Sequence, residues 1–417
     1  MRILALTKAR TAKLLTVRRA TDRAAERVAA RIVADVRRRG DAALFAWTRQ
    51  LDRVSLSPRN LWVSAAEIAG AARRVDKTFL EALAHAARNI RAVARRQLPT
   101  EWTIVTEPGV QVGQIVRPIQ RIGCYIPGGR HSLVSTLLMT VIPAQEAGVR
   151  EIVVTSPQPG DSLLAAASYL GVRHVARIGG AQAIAALAHG TRSITRVDKI
   201  FGPGNRYVAA AKRLVSADCA IDLLAGPTEA IVLSNDGDPR FIAADLLAQA
   251  EHDPDAAVLF VTTSAKLGKA VSAEIERQLA QLARSNPAWR SLASRGTVLV
   301  AGSVSAAIEF VNEFAPEHLT LAGSAGKWIG RIRSAASLFV GDASAQSFGD
   351  YMSGTNHTLP TGGVARTRGG LSAADFVKCL SVQEVSARGF AAMAAATQEM
   401  ARAEGLVAHG LSIEVRK

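Results

Sequence analysis

The chain has 417 residues, more than one hydrophobic core usually serves, so two core-bearing lobes are expected and a small disulfide- or metal-stapled fold is excluded. Hydrophobic residues make up 48% and charged residues 21%, which excludes wholesale disorder, and no run of 18 apolar residues occurs, so neither a membrane span nor a secretion signal is expected. The formal net charge of +16 is concentrated in residues 1–100, which hold 22 Lys/Arg against 8 Asp/Glu.

That basic excess sits on helical patterns, at Arg18, Arg19, Arg23, Arg27, Arg31 and Arg37–Arg39. No aromatic stacking residues or recognition motif accompany it, so it reads as a solvated face, with no specific nucleic-acid partner expected. From Thr21 to about Leu98 the apolar residues Val28, Ile32, Val33 and Val36, then Ile68, Val75, Leu80, Leu83 and Ile90, recur at helical spacing, interrupted at Gly40-Asp41. Residues 102–126 alternate around Pro108-Gly109 and Gly113, which predicts short strands and a hairpin.

Beyond this point apolar runs at Glu151–Thr155, His174–Ile178, Lys199–Phe201, Ala230–Leu233, Ala257–Thr262, Thr297–Val300, His318–Leu321 and Ser337–Val340 are separated by segments long enough for helices. The fold class expected is α/β, with parallel sheets covered on both faces. Ligands in such sheets sit beyond the carboxyl ends of strands. Four Gly-rich elements are expected there: Ile126-Pro127-Gly128-Gly129, Gly179-Gly180-Ala181-Gln182, Gly202-Pro203-Gly204-Asn205 and Gly226-Pro227-Thr228-Glu229. Neither GxGxxG after a strand nor a P-loop is present. A C-terminal helix is predicted from Gln383 to Glu404, followed by a tail with an alternating Leu411–Val415 end that must pack on the body or on a partner chain.

Three widely spaced cysteines, Cys124, Cys219 and Cys379, fit no disulfide framework and point to a reducing cytoplasm. Gln249 and His252, three apart near the end of a helix expected to begin at Asp238-Pro239, share one face. By spacing alone they suit either a hydrogen-bonded helix end or half of a nitrogen/oxygen metal site. Adjacent Glu317 and His318 would act at different places on a substrate, and the imidazole suits proton abstraction from a hydroxyl. Asp350 and His357 lie in a polar, Gly-rich stretch that reads as a functional loop. Cys124 reads as a buried, inert thiol rather than a nucleophile, and His131, His174 and His189 as structural.

Taken together, Tyr125–Gly129, Gly179–Ala188, Val197–Asn205, Leu247–His252, Ala315–Leu319 and Ser353–Pro360 resemble the L-histidinol dehydrogenase family, and the likeness runs from about Val28 to Val415. The resemblance implies two Rossmann-like lobes, a helical N-terminal section and a C-terminal tail swapped across a homodimer. It divides the chain into an arm (1–20), a discontinuous first lobe (21–121 with 230–370), a second lobe (122–229) and a tail (371–417) that contacts the partner subunit. It also implies one zinc per subunit, held by Gln249, His252, Asp350 and His409, the last reaching across the dimer. Substrate contacts would fall on Thr228, His318, His357 and Glu404 besides those ligands, and NAD contacts on Tyr125, Gln182 and Asn205. The implied reaction is oxidation of L-histidinol to L-histidine through a held aldehyde with two NAD, His318 taking the hydroxyl proton and Glu317 activating water. Thr228 stands where the family usually has Ser, which leaves a paralogous dehydrogenase of another small alcohol as the alternative.

Overall fold

The computed structural model describes residues 1–18, 22–128, 133–224 and 226–417; Arg19, the boundary at 20/21, Gly129 and His131 lie outside the described residues. In chain order the first elements are β1 (Arg2–Ala5), α1 (Lys8–Arg18), α2 (Arg23–Arg39), α3 (Asp41–Leu51), α4 (Ala65–Ala71) and α5 (Lys77–Gln97). The hairpin β2 (Trp102–Glu107) and β3 (Val110–Pro118) follows. Strict alternation of strand and helix then runs through β4 (Arg121–Tyr125), α6 (Val134–Glu146), β5 (Glu151–Thr155), α7 (Asp161–Tyr169), β6 (His174–Ala176), α8 (Gly180–His189), β7 (Lys199–Phe201), α9 (Arg206–Val215) and β8 (Ala220–Ile221).

A second alternating series comprises β9 (Glu229–Leu233), α10 (Pro239–Ala250), β10 (Ala257–Thr262), α11 (Ala265–Leu279), α12 (Ala288–Arg295), β11 (Thr297–Val300), α13 (Val304–Phe314), β12 (His318–Leu321) and β13 (Ser337–Val340). The chain ends with α14 (Gln346–Tyr351), β14 (Val377–Val385), α15 (Ala387–Ala403) and α16 (Val407–Glu414).

Two parallel sheets result, as the apolar runs predict. One has the order β6-β5-β4-β7-β8, the other β1-β11-β10-β9-β12-β13. Both place their first core strand, β4 or β9, in the interior and wind outward in both directions, the doubly wound pattern. Their strands are almost continuously apolar because helices cover both faces. The five-stranded sheet is sandwiched between α4–α7 on one face and α2, α3, α8 and α9 on the other. The helices of residues 23–97 therefore pack on the second lobe, which corrects the grouping of 21–121 with 230–370. The physical reason is contiguity of apolar stripes: Ile32 and Val36 of α2 meet the apolar faces of α8 and α9, and Leu83 and Ile90 of α5 meet α6.

The arm belongs to the six-stranded sheet. β1 pairs in parallel with β11, and Leu4, Leu6, Leu14 and Leu15 pack into that lobe's core. At the other end of the chain, Phe376 stacks on Phe201 with ring centroids 4.0 Å apart, which ties the start of the tail to the second lobe. Burial of such a ring contributes about 1.5–3 kcal/mol.

The tail differs from its expected form. Residues 377–385, partly assigned from sequence to a helix starting at Gln383, form β14, paired antiparallel with β3 along nine residues in a three-stranded sheet β14-β3-β2. The end that alternates at 411, 413 and 415 is helical instead, because Val407, Leu411 and Val415 form a stripe at spacing four.

Candidate functional site

The second lobe presents one edge of the site. Its strand order reverses between β4 and β7, and Tyr125 closes β4 while Gly202 follows β7, so both border the crevice at the topological switch point. Gly202 has φ +111°, and a Cβ there would lie 2.1 Å from the Tyr125 carbonyl oxygen, so only glycine allows this approach. The backbone of Gly202 is clamped by a buried ion pair: its N–H donates to Asp222 at 2.7 Å, its carbonyl accepts from Lys212 Nζ at 2.9 Å, and Lys212 pairs with Asp222. Asn205 caps α9, its Oδ1 accepting from the Tyr207 and Val208 N–H groups. Gln182, in the first turn of α8, is fully buried; Nε2 donates to Asp52 at 3.0 Å, and Oε1 has no partner. The Tyr125 hydroxyl accepts from Gly180 N–H at 3.2 Å, and burial pushes its ionisation up to about 12.

The other edge comes from the first lobe, and it lies at the amino ends of β9 and β12, opposite to the carboxyl-end rule. Gly226-Pro227-Thr228-Glu229 accordingly leads into β9. His318 starts β12, in register with Ala230 two residues after Thr228. α13 ends in a left-handed Ala315 (φ +51°), a conformation that costs about 1–2 kcal/mol for a residue with a Cβ, and Pro316 prevents further helix. This turn delivers Glu317 and His318 to the cleft. Glu317 Oε2 accepts from Glu229 N–H at 3.0 Å. Burial, and then the carboxylates Glu229 and Asp350, hold the Glu317 carboxyl well above its usual range. The His318 ring is buried, which pushes its pKa down to about 4; Nδ1 lies 3.7 Å from Glu317 Oε2 and makes no hydrogen bond, while Nε2 lies 4.0 Å from Asp350 Oδ1.

The segment after β13 bridges the lobes. Asn356 Nδ2 donates to Met139 O of α6, and Asn89 Nδ2 of α5 donates to Met352 O. His357 Nδ1 lies 3.0 Å from the Asp350 carbonyl and must donate to it, which leaves Nε2 as the acceptor of the Thr136 hydroxyl at 3.4 Å. Burial lowers the His357 pKa, partly offset by Asp350.

The predicted metal residues meet only in part within one chain. Gln249 closes α10, which begins at Pro239 with Asp238 as its cap, as the sequence predicts. His252, two residues past that helix, is close enough to His318 and His357 to depress both their pKa values. Asp350 approaches through α14, which packs on α10. Gln249 is 1% exposed with Nε2 unpartnered, an unmet polar group of the kind that a site completed from outside the chain leaves. Nitrogen and oxygen donors from Gln249, His252 and Asp350 suit a borderline divalent ion. Glu404 and His409 are not brought to this cluster; both are exposed, on the α15–α16 hairpin. Among the described residues no set of three His, Cys, Asp or Glu side chains is close enough to hold a metal. Cys124 is buried with its thiol pushed up to about 12 by burial, matching the inert reading.

Three further residues, Asp245, Asp52 and Glu229, shape the site. Asp245 accepts from Gln346 N–H at 3.3 Å at the start of α14, and Gln346 Nε2 donates to Thr320 of β12 at 2.8 Å, so one network aligns α10, α14 and the His318 strand. Burial pushes Asp245 up to about 6. Its helical spacing from Gln249 and His252, four and seven residues, was a usable signal. Glu229 belongs to the Gly226–Glu229 element, whereas Asp52 carries no such signal.

Two doubly wound lobes meeting at a buried imidazole and carboxylate suit an oxidoreductase of the dehydrogenase class. The sequence model of the family described as histidinol dehydrogenase matches residues 16–417. A histidinol dehydrogenase of Geobacter sulfurreducens is 45% identical over 403 residues, 95% of this chain and 94% of that protein. One from Geobacillus kaustophilus is 46% identical over 392 residues, 92% of each. The crystal structure of histidinol dehydrogenase from Elizabethkingia anophelis superposes with a TM-score of 0.93 at 36% identity, over 100% of this chain and 98% of that one. The chain belongs to the histidinol dehydrogenase family.

Proposed function

We propose that this chain oxidises L-histidinol to L-histidine through L-histidinaldehyde, the last step of histidine biosynthesis, as a cytoplasmic homodimer with one zinc per subunit and two NAD consumed in succession. The observation that carries the reading is the cluster of buried Glu317, His318 and Asp350 with half-buried His357 in a member of this family. When bound, zinc would anchor the substrate's imidazole and amino nitrogens, and NAD would accept hydride at each oxidation. Gln249, His252 and Asp350 of one subunit and His409 of the other would hold the metal, and Tyr125, Gln182 and Asn205 would hold NAD.

The chain's own groups divide the proton work. His318, neutral because burial lowers its pKa, takes the hydroxyl proton of the alcohol. Asp350 stands near enough to stabilise the imidazolium so formed. Glu317 takes a proton from the water that hydrates the aldehyde, and Thr228, His357 and Glu404 line the substrate. Over both halves one alcohol and one water yield a carboxylate, two hydrides and three protons.

A homodimer is supported by the tail. Met400 (63% exposed), Val407 (74%) and Val415 (78%) leave an apolar stripe uncovered on the hairpin that carries Glu404 and His409. Among the described residues no helix is long and apolar enough to cross a membrane.

The reading is tested by counting NADH formed per L-histidinol consumed, with and without a chelator. Two per substrate, abolished by chelation, is expected; one per substrate, or turnover of another alcohol only, overturns it. A sharper expectation concerns Glu317. As a base it works ionised, so the hydration half-reaction should rise with pH through the raised pKa of this carboxyl. Glu317→Gln should slow aldehyde oxidation by about 10²–10⁴-fold, flatten that acid limb, and leave the first hydride transfer measurable in a single turnover. An unchanged aldehyde rate would remove Glu317 from the water step.

A further inference from the structure

Gln182 carries an amide whose orientation is dictated rather than chosen. A carboxylate only accepts, so the Asp52 oxygen 3.0 Å away selects Nε2 and turns Oε1 to the opposite side. That oxygen is fully buried and has no hydrogen-bond partner. It stands over the start of α8: a Cβ on Gly180, which has φ +64°, would come within 2.6 Å of it, so only glycine lets the oxygen sit this close to the backbone. The Tyr125 hydroxyl, at the end of β4, contacts the same Gly180 through its N–H. An unmet buried acceptor is costly, and that cost is removed when a ligand donates to it. Asp52 itself is fixed from outside the lobe's alternating core, at the C-terminus of α3, where its N–H donates to Thr48 O at 2.9 Å and its carbonyl accepts from Gln158 Nε2 at 3.4 Å.

We propose that Asp52 is a positioning residue for the cofactor: by holding Gln182 Nε2 it presents Gln182 Oε1 as a preset acceptor for a hydrogen-bond donor of the dinucleotide, a ribose hydroxyl or the carboxamide N–H. This rests on the reading that Gln182 meets NAD. Without Asp52 the amide turns freely and offers the dinucleotide its NH2 as readily as its oxygen. The role is one of orientation, so an acceptor oxygen at position 52 suffices and a negative charge is not required.

The test is NADH binding to the zinc-loaded full-length protein, followed by nicotinamide fluorescence, with zinc content and the Kd of L-histidinol measured in parallel. Asp52→Ala should raise the NADH Kd about tenfold, equivalent to about 1.4 kcal/mol, and leave zinc content and histidinol Kd as they are. Asp52→Asn, which keeps an acceptor for Nε2, should stay within about threefold of the wild type. The Asp52→Ala/Gln182→Ala double variant should bind no more weakly than Gln182→Ala alone, because both remove one contact. If Asp52→Ala does not fold, Asp52→Leu, of similar length and without an acceptor, takes its place. Wild-type binding by Asp52→Ala beside weak binding by Gln182→Ala overturns the proposal, as do additive losses or failure of Asp52→Asn to restore binding. Wild-type binding by Gln182→Ala instead overturns the placement of NAD at Gln182.

Discussion

Replacing His318 with Asn is expected to lower kcat by about 10²–10⁴-fold while zinc content, fold and NADH binding are retained. Burial holds this imidazole neutral throughout the physiological range, with a pKa of about 4, so it is ready to accept a proton when substrate arrives. Its Nδ1 is buried without a hydrogen bond, a cost that a role in turnover explains better than a role in packing. The ring is held by stacking on Phe339, centroids 6.0 Å apart, and Asn is small enough to leave that wall standing. Because His318 is not among the proposed metal ligands, metal analysis separates the two roles: a variant that is inactive but zinc-replete supports proton transfer, and one that has lost zinc contradicts it. The pH profile gives a second check. Protonation of His318 is confined to the region near pH 4, so the acid limb of the wild-type profile should follow the raised carboxyl of Glu317, and the residual activity of His318→Asn should keep that limb.

The parallel strands were legible because each is buried on both faces and reads as an unbroken apolar run between helical segments. Six of the eight expected strands, at 151–155, 199–201, 257–262, 297–300, 318–321 and 337–340, begin and end where the sequence puts them. β14 carries no such signal: Val377, Cys379, Ser381 and Gln383 alternate with Lys378, Leu380, Val382 and Glu384 without a consistent apolar face, and most of β14 and all of β2 are exposed. β1 is four residues long and depends on β11, almost three hundred residues away, so no local pattern announces it. The site divides in the same way. Tyr125, Gln182, Asn205, Gln249, His252, Glu317 and His318 stand at strand ends or helix termini that the pattern locates. Asp52, Asp245 and Glu229 act through contacts between distant elements, and such contacts are set by packing. The carboxyl-end rule holds for the five-stranded sheet, whereas the six-stranded sheet offers its amino ends, because α10 runs back along β9 and brings Gln249 and His252 there.

Mixing two inactive variants is expected to recover activity if each site is built from two chains. His252→Ala removes a proposed metal ligand at the end of α10, and His409→Ala removes one on α16. In a mixed dimer one site carries both substitutions and the other carries neither, so half of its sites are intact. Statistical exchange yields mixed dimers as about half of the population, so activity should reach about one quarter of the wild type, with zinc occupancy recovering to match. Each parent alone should stay near background with lowered zinc. A site assembled within one chain predicts the reverse: every subunit keeps one substitution, and mixing restores nothing. The exposure of Val407, Leu411 and Val415 makes the first outcome the expected one, because a chain that left this stripe in water would forgo apolar burial worth about 25 cal/mol per Å² that a partner can supply. His409 and Glu404 are exposed on the same hairpin, free to meet a neighbouring subunit. Verified mixed dimers without recovered activity would return the fourth zinc ligand to the chain that supplies the other three.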